Sequence, residues 1–348
     1  GFVRRGLVGE IFFQIYKFSL ARLDLIVFFF VSFFYIFFAI NLVKIIKEIN
    51  LNYLNLLIIF SPLSFFYPVM EQKVSGRKDI LFLLLLSLIT NYLPKIKYEY
   101  QKYVIILAIT FLTLSHTGFV FFTPFFIAIF WITNNERKLK KIIYDCFVIL
   151  IFSFFIFLVV FFNSSIGLEG ISKICNSIKP YLVNCGQTDY ISTLNWSLEY
   201  NLERKKIEWM RDNYTQFYVF SFVFSFAPLI FALKNYKFKN SKIAIKPLVF
   251  FFILIILTLP IYYAGVDYGR YLYISYIGIL ILYFKSLSKK IILEKDRFLI
   301  SIKNIRLRNF LIISSIIIYG LTWTVPHCCS NNFKFIYTKP INKLMEKL

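Results

Sequence analysis

The pattern of apolar and polar positions divides the chain into long apolar runs, separated mostly by short polar segments. The runs 23–43 ("LDLIVFFFVSFFYIFFAINLV") and 142–162 ("IIYDCFVILIFSFFIFLVVFF") reach the roughly 20 residues that a helix needs to cross the hydrocarbon of a membrane. Neither run alternates apolar and polar residues, as the strands of a transmembrane barrel do. The pattern therefore predicts membrane-spanning helices.

The whole chain, residues 1–348, is predicted to form one all-α polytopic transmembrane domain with about ten transmembrane helices. Region 103–132 is ambiguous, since it fits either one long tilted helix or two short helices broken at "SHTG". The sequence opens at Gly1 without Met, which is compatible with a missing upstream piece such as one further helix. The expected spans are 23–43, 53–70, 79–93, 103–115, 118–132, 142–163, 215–233, 247–264, 271–285 and 309–326.

Composition supports a membrane protein and argues against a nucleic-acid partner. The chain is 59% hydrophobic and contains 44 Phe and 24 Tyr, more apolar surface than one soluble core of this length could bury. A net charge of +22 would suggest nucleic acid in a soluble protein. Here a positive-inside bias against anionic membrane lipids explains it better, and the sequence contains no nucleic-acid motif.

The distribution of Lys and Arg among the connections predicts which side of the membrane each one faces. Segments 133–144, 234–246 and 285–308 carry four, five and eight of these residues, so we expect all three to be cytoplasmic. Counting outward, the segments 44–52 and 94–102 also lie inside if region 103–132 crosses twice. The extracytoplasmic segments are then 1–22, 71–78, 115–118, 164–214, 265–270 and the tail after 326.

The connection 164–214 is the one long polar segment and is predicted to be a large extracytoplasmic loop. Near 196–212 it has the pattern of an amphipathic helix that lies on the membrane surface. Cys175 and Cys185 lie in this loop, where an oxidising compartment permits a disulfide; two unpaired thiols are the alternative. No spacing of Cys or His in the chain resembles a metal site, so no metal is expected.

Candidate anion-binding residues lie in the predicted outer segments, where arginine runs against the topology bias. Arg77 and Arg270 each follow a glycine and lie near the start of a predicted helix. Glycine lets the backbone approach a ligand, while a helix N-terminus and a guanidinium both attract anions, so the two arginines predict a clamp for phosphate or diphosphate. Arg4 and Arg5 would assist, although contact with lipid head groups explains these two equally well.

Two residues could exchange a proton with a substrate. His116 lies within an apolar stretch and is either a hydrogen-bonded histidine inside the bundle or a general base toward a hydroxyl. Asp267 is either a second base or the residue that orients Arg270 through an i, i+3 pair, and the pairing role is favoured. Asp79 is expected to place a negative charge in the first turn of its helix. His327, in the outer tail, is interpreted as incidental.

Three short motifs in order, "GRKDILFLL", "SHTGFVFFTPFF" and "DYGRYLYI", resemble the motif series of bacterial O-antigen polymerases of the Wzy type and of EpsG-like exopolysaccharide polymerases. The resemblance covers the arrangement of most of the chain. Thr117 stands where the family has Glu, and Tyr271 stands where it has Trp.

This resemblance implies a GT-C-like glycosyltransferase architecture and no cofactor. It implies polymerisation of undecaprenyl-diphosphate-linked oligosaccharide units into O-antigen, capsular or exopolysaccharide, at the periplasmic face of the bacterial inner membrane. Arg77 and Arg270 would hold the diphosphate, and His116 or Asp267 would act as base. Tyr67, Tyr268 and Tyr273 would stack on sugars or belong to an interfacial belt, and a chain-length regulator is a candidate partner.

Two other classes of function fit parts of the pattern. A transporter or flippase for a lipid-linked glycan or another anionic solute would show internal repeats and broken helices near the midplane. The sequence shows no repeat, and its polar clusters lie at one face, which favours an enzyme. A non-catalytic subunit or an acyltransferase-like membrane protein is the third alternative, since His116 alone does not exclude it.

Overall fold

The structure is a computed structural model of the chain. It describes residues 6–19, 22–71, 74, 76–162, 172, 175–176, 202–203, 206–207, 214–239, 246–294, 305–328 and 334–335. Within these ranges the chain is predominantly helical, and the strands are two short antiparallel pairs. The predicted all-α class is therefore confirmed at this level.

The helices follow the apolar runs along the chain. In the first half they are α1 (Leu7–Ser19), α2 (Leu23–Lys47), α3 (Tyr53–Ile59), α4 (Tyr67–Met70), α5 (Asp79–Tyr92), α6 (Tyr98–Ser115), α7 (Thr123–Asn134) and α8 (Leu139–Phe162), with 3-10 turns at Leu93–Lys95 and Thr117–Phe122. In the second half they are α9 (Tyr214–Lys234), α10 (Pro247–Ala264), α11 (Tyr268–Ser288) and α12 (Ile305–Leu321). Strand β1 (Tyr236–Phe238) pairs with β2 (Ile292–Glu294), and β3 (Trp323–Thr324) pairs with β4 (Lys334–Phe335).

Among the described residues, five helical segments are long and apolar enough to cross a membrane: Asp24–Lys47, Thr117–Asn134, Leu139–Phe162, Thr215–Lys234 and Tyr268–Ser288. Helix α11 is the central one, because 89% of its apolar window is buried inside the protein. The corresponding share is 22% for α2 and 28% for α8, which expose Phe and Ile side chains outward. Apolar side chains on that scale need a nonpolar surrounding, which supports a membrane-embedded protein.

Two segments differ from the prediction, and a third decides between the two alternatives left open for region 103–132. The predicted span 53–70 is broken into α3 and α4, because Pro62 cannot donate a backbone hydrogen bond and the chain turns at Ser61 instead. Residues 7–19, which the sequence analysis places in an outer loop, form helix α1. Region 103–132 consists of two helices, with an extended residue, His116, at the break (φ −159°, ψ 112°).

Segments that are predicted to be cytoplasmic contact one another in the structure. Lys285 binds Glu48 at 2.9 Å, which joins the end of α11 to the end of α2. The guanidinium of Arg137 lies 4.4 Å from the centre of the Tyr98 ring, which joins segment 133–144 to the start of α6. Strands β1 and β2 join the segments that follow α9 and α11. These contacts gather one end of the helix bundle.

The predicted outer segments gather at the other end of α11, which is called the outer end below after its predicted orientation. Arg77 binds Asp267 at 2.7 Å, and Lys78 donates to the carbonyl oxygen of Ser115 at 3.3 Å. The two groups of segments therefore separate along α11 as the Lys and Arg bias predicts, including the split near residue 116.

The tail after α12 returns to the start of α11 and packs there at backbone distance. The amide of Gly269 donates to the carbonyl oxygen of His327 at 3.1 Å. A Cβ at position 269 would lie 2.0 Å from the carbonyl oxygen of Pro326, so only glycine permits this approach. The tail is held further by Tyr218, whose hydroxyl donates to the same Pro326 oxygen at 3.1 Å.

The two ends of the bundle predict opposite labelling of introduced cysteines. Gly76→Cys and Glu136→Cys, each in an otherwise cysteine-free protein, would place a thiol at an exposed position of the outer and of the inner end. In right-side-out membrane vesicles, a membrane-impermeant maleimide should label the first thiol at once and the second only after permeabilisation. Gel-shift assays measure the labelling. The reverse order would invert the orientation, and labelling of both from one side would contradict the division into two ends.

Candidate functional site

Four charged side chains from the starts of α5 and α11 and the residues just before them form a group, here called the ion-pair cluster: Arg77, Asp79, Asp267 and Arg270. Asp79 is the first residue of α5, and Arg77 lies two residues before it. Asp267 precedes α11, and Arg270 lies in the first turn of that helix. The cluster therefore ties together two segments that are about 190 residues apart in sequence.

Arg270 lies at the centre of the cluster and is bound by two acids. Its Nε donates to Asp79 Oδ2 at 2.6 Å and its Nη2 to Asp79 Oδ1 at 2.7 Å, a bidentate pair. Its Nη1 donates to Asp267 Oδ2 at 3.1 Å. The Arg270 side chain is 8% exposed and that of Asp79 is 2% exposed, so this pair is almost fully removed from solvent.

Arg77 shares an acid with Arg270 but is more accessible. Its Nη1 donates to Asp267 Oδ2 at 2.7 Å, the same oxygen that Arg270 binds. The side chains of Arg77 and Asp267 are 20% and 21% exposed. Both predicted clamp arginines therefore belong to one cluster, but Arg77 is the one whose guanidinium reaches the surface.

The arginines set the charge of Asp267. Burial opposes ionisation of this carboxyl, but the Coulombic attraction of Arg270 and Arg77 outweighs it, so the pKa of Asp267 lies below its usual value. The carboxylate is thus charged at neutral pH. The predicted i, i+3 pairing of Asp267 with Arg270 is present in the structure, alongside the pairing with Arg77 that the spacing did not indicate.

The ion pair of Asp79 with Arg270 was not predicted from the sequence, which indicated only a negative charge in the first turn of α5. In the structure its carboxylate holds Arg270 of α11. A signal was available, since an acid buried in an apolar run requires a cation. Nothing in the spacing, however, selects Arg270 among the cations at the same face.

His116 lies at the break between α6 and α7 and is not a member of the ion-pair cluster. It is connected to the cluster through its neighbour in the chain, Ser115. Its Nδ1 accepts a hydrogen bond from the amide of Gly118 at 3.0 Å, and its ring packs against Phe119. The carbonyl of the preceding residue, Ser115, accepts from Lys78, which lies between Arg77 and Asp79. The structure therefore links the His116 turn to the segment that carries half of the cluster.

Next to the cluster, the structure assembles a second polar group that the sequence analysis did not predict. His327 is 7% exposed and Glu71 is 3% exposed. Glu71 Oε1 lies 3.4 Å from His327 Nδ1, and Cys328 Sγ lies 3.3 Å from His327 Nε2. His327 is thus a buried residue of the outer end rather than an incidental one.

The remaining predicted residues fall into two groups. Arg4, Arg5 and Cys185 lie outside the described residues, as does most of the 164–214 loop; Cys175 is disulfide-bonded. Of the predicted surface helix 196–212, the structure describes four residues, all helical: Leu202, Glu203, Lys206 and Ile207.

The tyrosines proposed to stack on sugars belong to the core instead. Tyr67 is 0% exposed and stacks on Tyr273 with 4.9 Å between ring centres. Tyr268 is also buried, and its ring lies edge-on to Tyr218. The burial of Tyr67 and Tyr273 excludes these two rings from contact with a sugar in this conformation.

An apolar groove of about 410 Å³ includes Tyr268, the first residue of α11, in its lining. Residues of α9, α10 and α11 line it, among them Tyr218, Leu259, Tyr268 and Leu272. Tyr268 follows Asp267 directly in the chain, and Tyr218 binds the tail at Pro326. This part of the protein therefore carries a partly exposed guanidinium, that of Arg77, and an apolar groove lined in part by the start of α11.

Comparisons with known proteins do not identify the chain: no family model matches it, and neither the curated proteins nor the solved structures include a significant match. The resemblance to O-antigen polymerases thus remains a prediction from three short motifs.

Removal of the Asp79 carboxylate should destabilise the protein strongly, because Arg270 would be left as a buried charge without its bidentate partner. We expect Asp79→Asn to reduce the free energy of unfolding by about 3–5 kcal/mol. The double variant Asp79→Leu/Arg270→Met, which removes both charges, should recover much of that loss. Thermal unfolding of the purified protein in detergent measures the changes.

The exposed pair Arg22–Asp24 provides the matched control, since these side chains are 77% and 63% exposed. Asp24→Asn should leave the unfolding midpoint unchanged. Equal effects of the substitutions at positions 79 and 24 would contradict the structural role assigned to the buried pair.

Proposed function

We propose that the protein transfers a glycan between polyprenyl-diphosphate-linked oligosaccharides at the outer face of the membrane, as a polysaccharide polymerase does. The observations that support this proposal are the partly exposed guanidinium of Arg77 and the apolar groove that Tyr268, the residue after Asp267, helps to line. A lipid-linked diphosphate has an anionic head and a long hydrocarbon tail, and these two features offer a partner for each. The GT-C-like architecture belongs to the same proposal.

Arg77 is the residue proposed to bind the diphosphate. A diphosphate leaving group gains negative charge as the anomeric bond breaks, and a guanidinium can stabilise that charge without a metal. The Arg77 side chain is 20% exposed, whereas Arg270 is bound by two acids and is 8% exposed. We therefore assign Arg270 and Asp79 a positioning role, in place of the shared clamp that the sequence suggested.

The geometry favours His116 as a hydrogen-bond donor rather than as a base. Because Nδ1 accepts from the Gly118 amide, a neutral imidazole carries its proton on Nε2. That nitrogen then donates to a sugar or phosphate oxygen. Asp267 is the alternative base, through Oδ1, the oxygen that neither arginine binds in the described contacts.

Substitution of Arg77 by Lys should reduce polymerisation by about 10-fold or more, since Lys keeps the charge opposite Asp267 but cannot bind phosphate through a planar fork. The assay uses purified protein in vesicles with a polyprenyl-diphosphate-linked oligosaccharide, and gel electrophoresis of the released glycan measures chain length. Arg22→Lys is the control, because Arg22 is an exposed arginine of a predicted outer segment. Full-length glycan ladders from Arg77→Lys would refute the phosphate-binding role.

A transporter or flippase is the second candidate, and the break between α3 and α4 favours it, since broken helices are typical of transporters. The same vesicles distinguish the two functions. If the wild-type protein moves the lipid-linked oligosaccharide across the bilayer and forms no longer glycan, the flippase explanation replaces the polymerase.

Two substitutions at position 116 test the proposed role of the histidine. If His116 donates through Nε2, His116→Gln should retain part of the rate, because an amide N–H can replace that donor, while His116→Ala should lose about 10-fold. A base role predicts equal losses for both variants. Initial rates of glycan extension between pH 6 and pH 8 measure the difference, and a wild-type rate that rises with a His-like pKa would contradict the donor role.

A further inference from the structure

We infer that Asp267, His327 and Cys328 form a binding site for a divalent transition-metal ion, with zinc as the best chemical match. One ligand atom from each residue lies within 4.8 Å of the other two. No motif spacing reveals this triad, because the residues come from the start of α11 and from the tail some 60 residues later. The inference does not depend on the proposed glycan transfer, and its test measures ion binding rather than activity.

The distances fit a site that needs a small rearrangement to close. Zinc binds Cys sulfur at about 2.3 Å and His nitrogen or carboxylate oxygen at about 2.0–2.2 Å, so tetrahedral ligands lie roughly 3.3–3.8 Å apart. His327 Nε2 and Cys328 Sγ are already 3.3 Å apart. The carboxylate of Asp267 would approach by up to about 1.5 Å. Such a movement lies within side-chain rotation.

The donor set is specific enough to suggest the class of metal. A thiolate and an imidazole favour zinc or cobalt over the hard ions magnesium and calcium, which take oxygen ligands. Binding would displace the thiol proton of Cys328 to solvent. Three protein ligands leave the fourth position for water or for an oxygen of a substrate, as in catalytic rather than structural zinc sites.

Glu71 supplies the second independent observation. Metal-bound histidines usually donate their other ring N–H to a carboxylate, which fixes the ring and strengthens it as a ligand. Glu71 Oε1 lies 3.4 Å from His327 Nδ1, on the side of the ring away from Cys328. His327 is more than nine-tenths buried, and its Nδ1 forms no hydrogen bond with the described residues, which is costly unless binding draws the two groups together.

The surrounding charges allow a cation at this position. Arg77 and Arg270 bind the same oxygen of Asp267, Oδ2, so Oδ1 is the oxygen available to a metal in the described contacts. Glu71, Asp79 and Asp267 are three buried or half-buried carboxylates beside the two guanidinium groups. Ligation through Oδ1 and a base role for that oxygen exclude each other.

Cobalt binding tests the site directly, because a Co²⁺–thiolate bond gives a charge-transfer absorption band. The full chain, purified in detergent and stripped with a chelator, is titrated with Co²⁺ and then with Zn²⁺. We expect one equivalent of Co²⁺ per chain, a thiolate band, and displacement by Zn²⁺. Absence of stoichiometric binding, or of the band, in the wild-type protein overturns the inference.

Variants assign the ligands. Cys328→Ser should abolish the band, His327→Ala should weaken binding at least 100-fold, and Glu71→Gln should weaken it by about 10–100-fold, as loss of an outer partner does. Cys146→Ser and His116→Ala, which remove the same side-chain types elsewhere, should retain wild-type binding. A band that persists in Cys328→Ser would overturn the assignment. Size-exclusion profiles confirm that each variant is folded before it is titrated.

Discussion

The buried ion pair between Arg270 and Asp79 is the interaction on which the outer end of the molecule depends. Transfer of a guanidinium out of water costs several kcal/mol even after relaxation, and only close, well-directed partners offset that cost. Asp79 binds it through two nitrogens and Asp267 through a third. Because these acids come from the starts of α5 and α11, the requirement to satisfy one guanidinium holds the starts of both helices together.

The two arginines of the cluster consequently differ in what they can do. Each of the three guanidinium nitrogens of Arg270 donates to a carboxylate oxygen. The Arg77 side chain, which binds Asp267, is 20% exposed. The apolar groove is lined in part by Tyr268 and Leu272 of the central helix. A guanidinium suits an anionic head group and an apolar groove suits hydrocarbon. This arrangement gives the proposed amphiphilic substrate its physical basis.

Hydropathy and the Lys and Arg bias were sufficient to predict the helical class and the grouping of segments at two ends. The pairing of Asp267 with Arg270 also followed from local sequence, since the two residues lie three positions apart. The sequence left region 103–132 open between one helix and two, and the structure has two helices with the break at His116. Long-range partners did not follow. Asp79 could have met any of several cations at its face, and the choice of Arg270 depends on how α5 packs against α11. The break after Ile59 could also have been predicted from Pro62, but the run 53–70, which contains Pro62 and Pro68, was interpreted as one continuous span because of its apolar composition.

The tail shows why His327 and Glu71 could not be assigned from the sequence. Their meeting requires the Pro326 carbonyl to approach the start of α11 to a distance that a Cβ at position 269 would forbid. A glycine before an arginine suggested an approaching ligand, and the structure fills that space with the protein's own backbone.

The same packing bears on the choice between an enzyme and a transporter. A transport movement that separated the start of α5 from the start of α11 would pull Arg270 away from Asp79. Exposure of an unpaired, buried charge during each cycle would raise the barrier by several kcal/mol. The break between α3 and α4, at residues 60–66, contains none of the cluster residues. A cluster held this firmly suits a site that binds its substrate in one geometry, and that requirement is shared by catalysis and by metal binding.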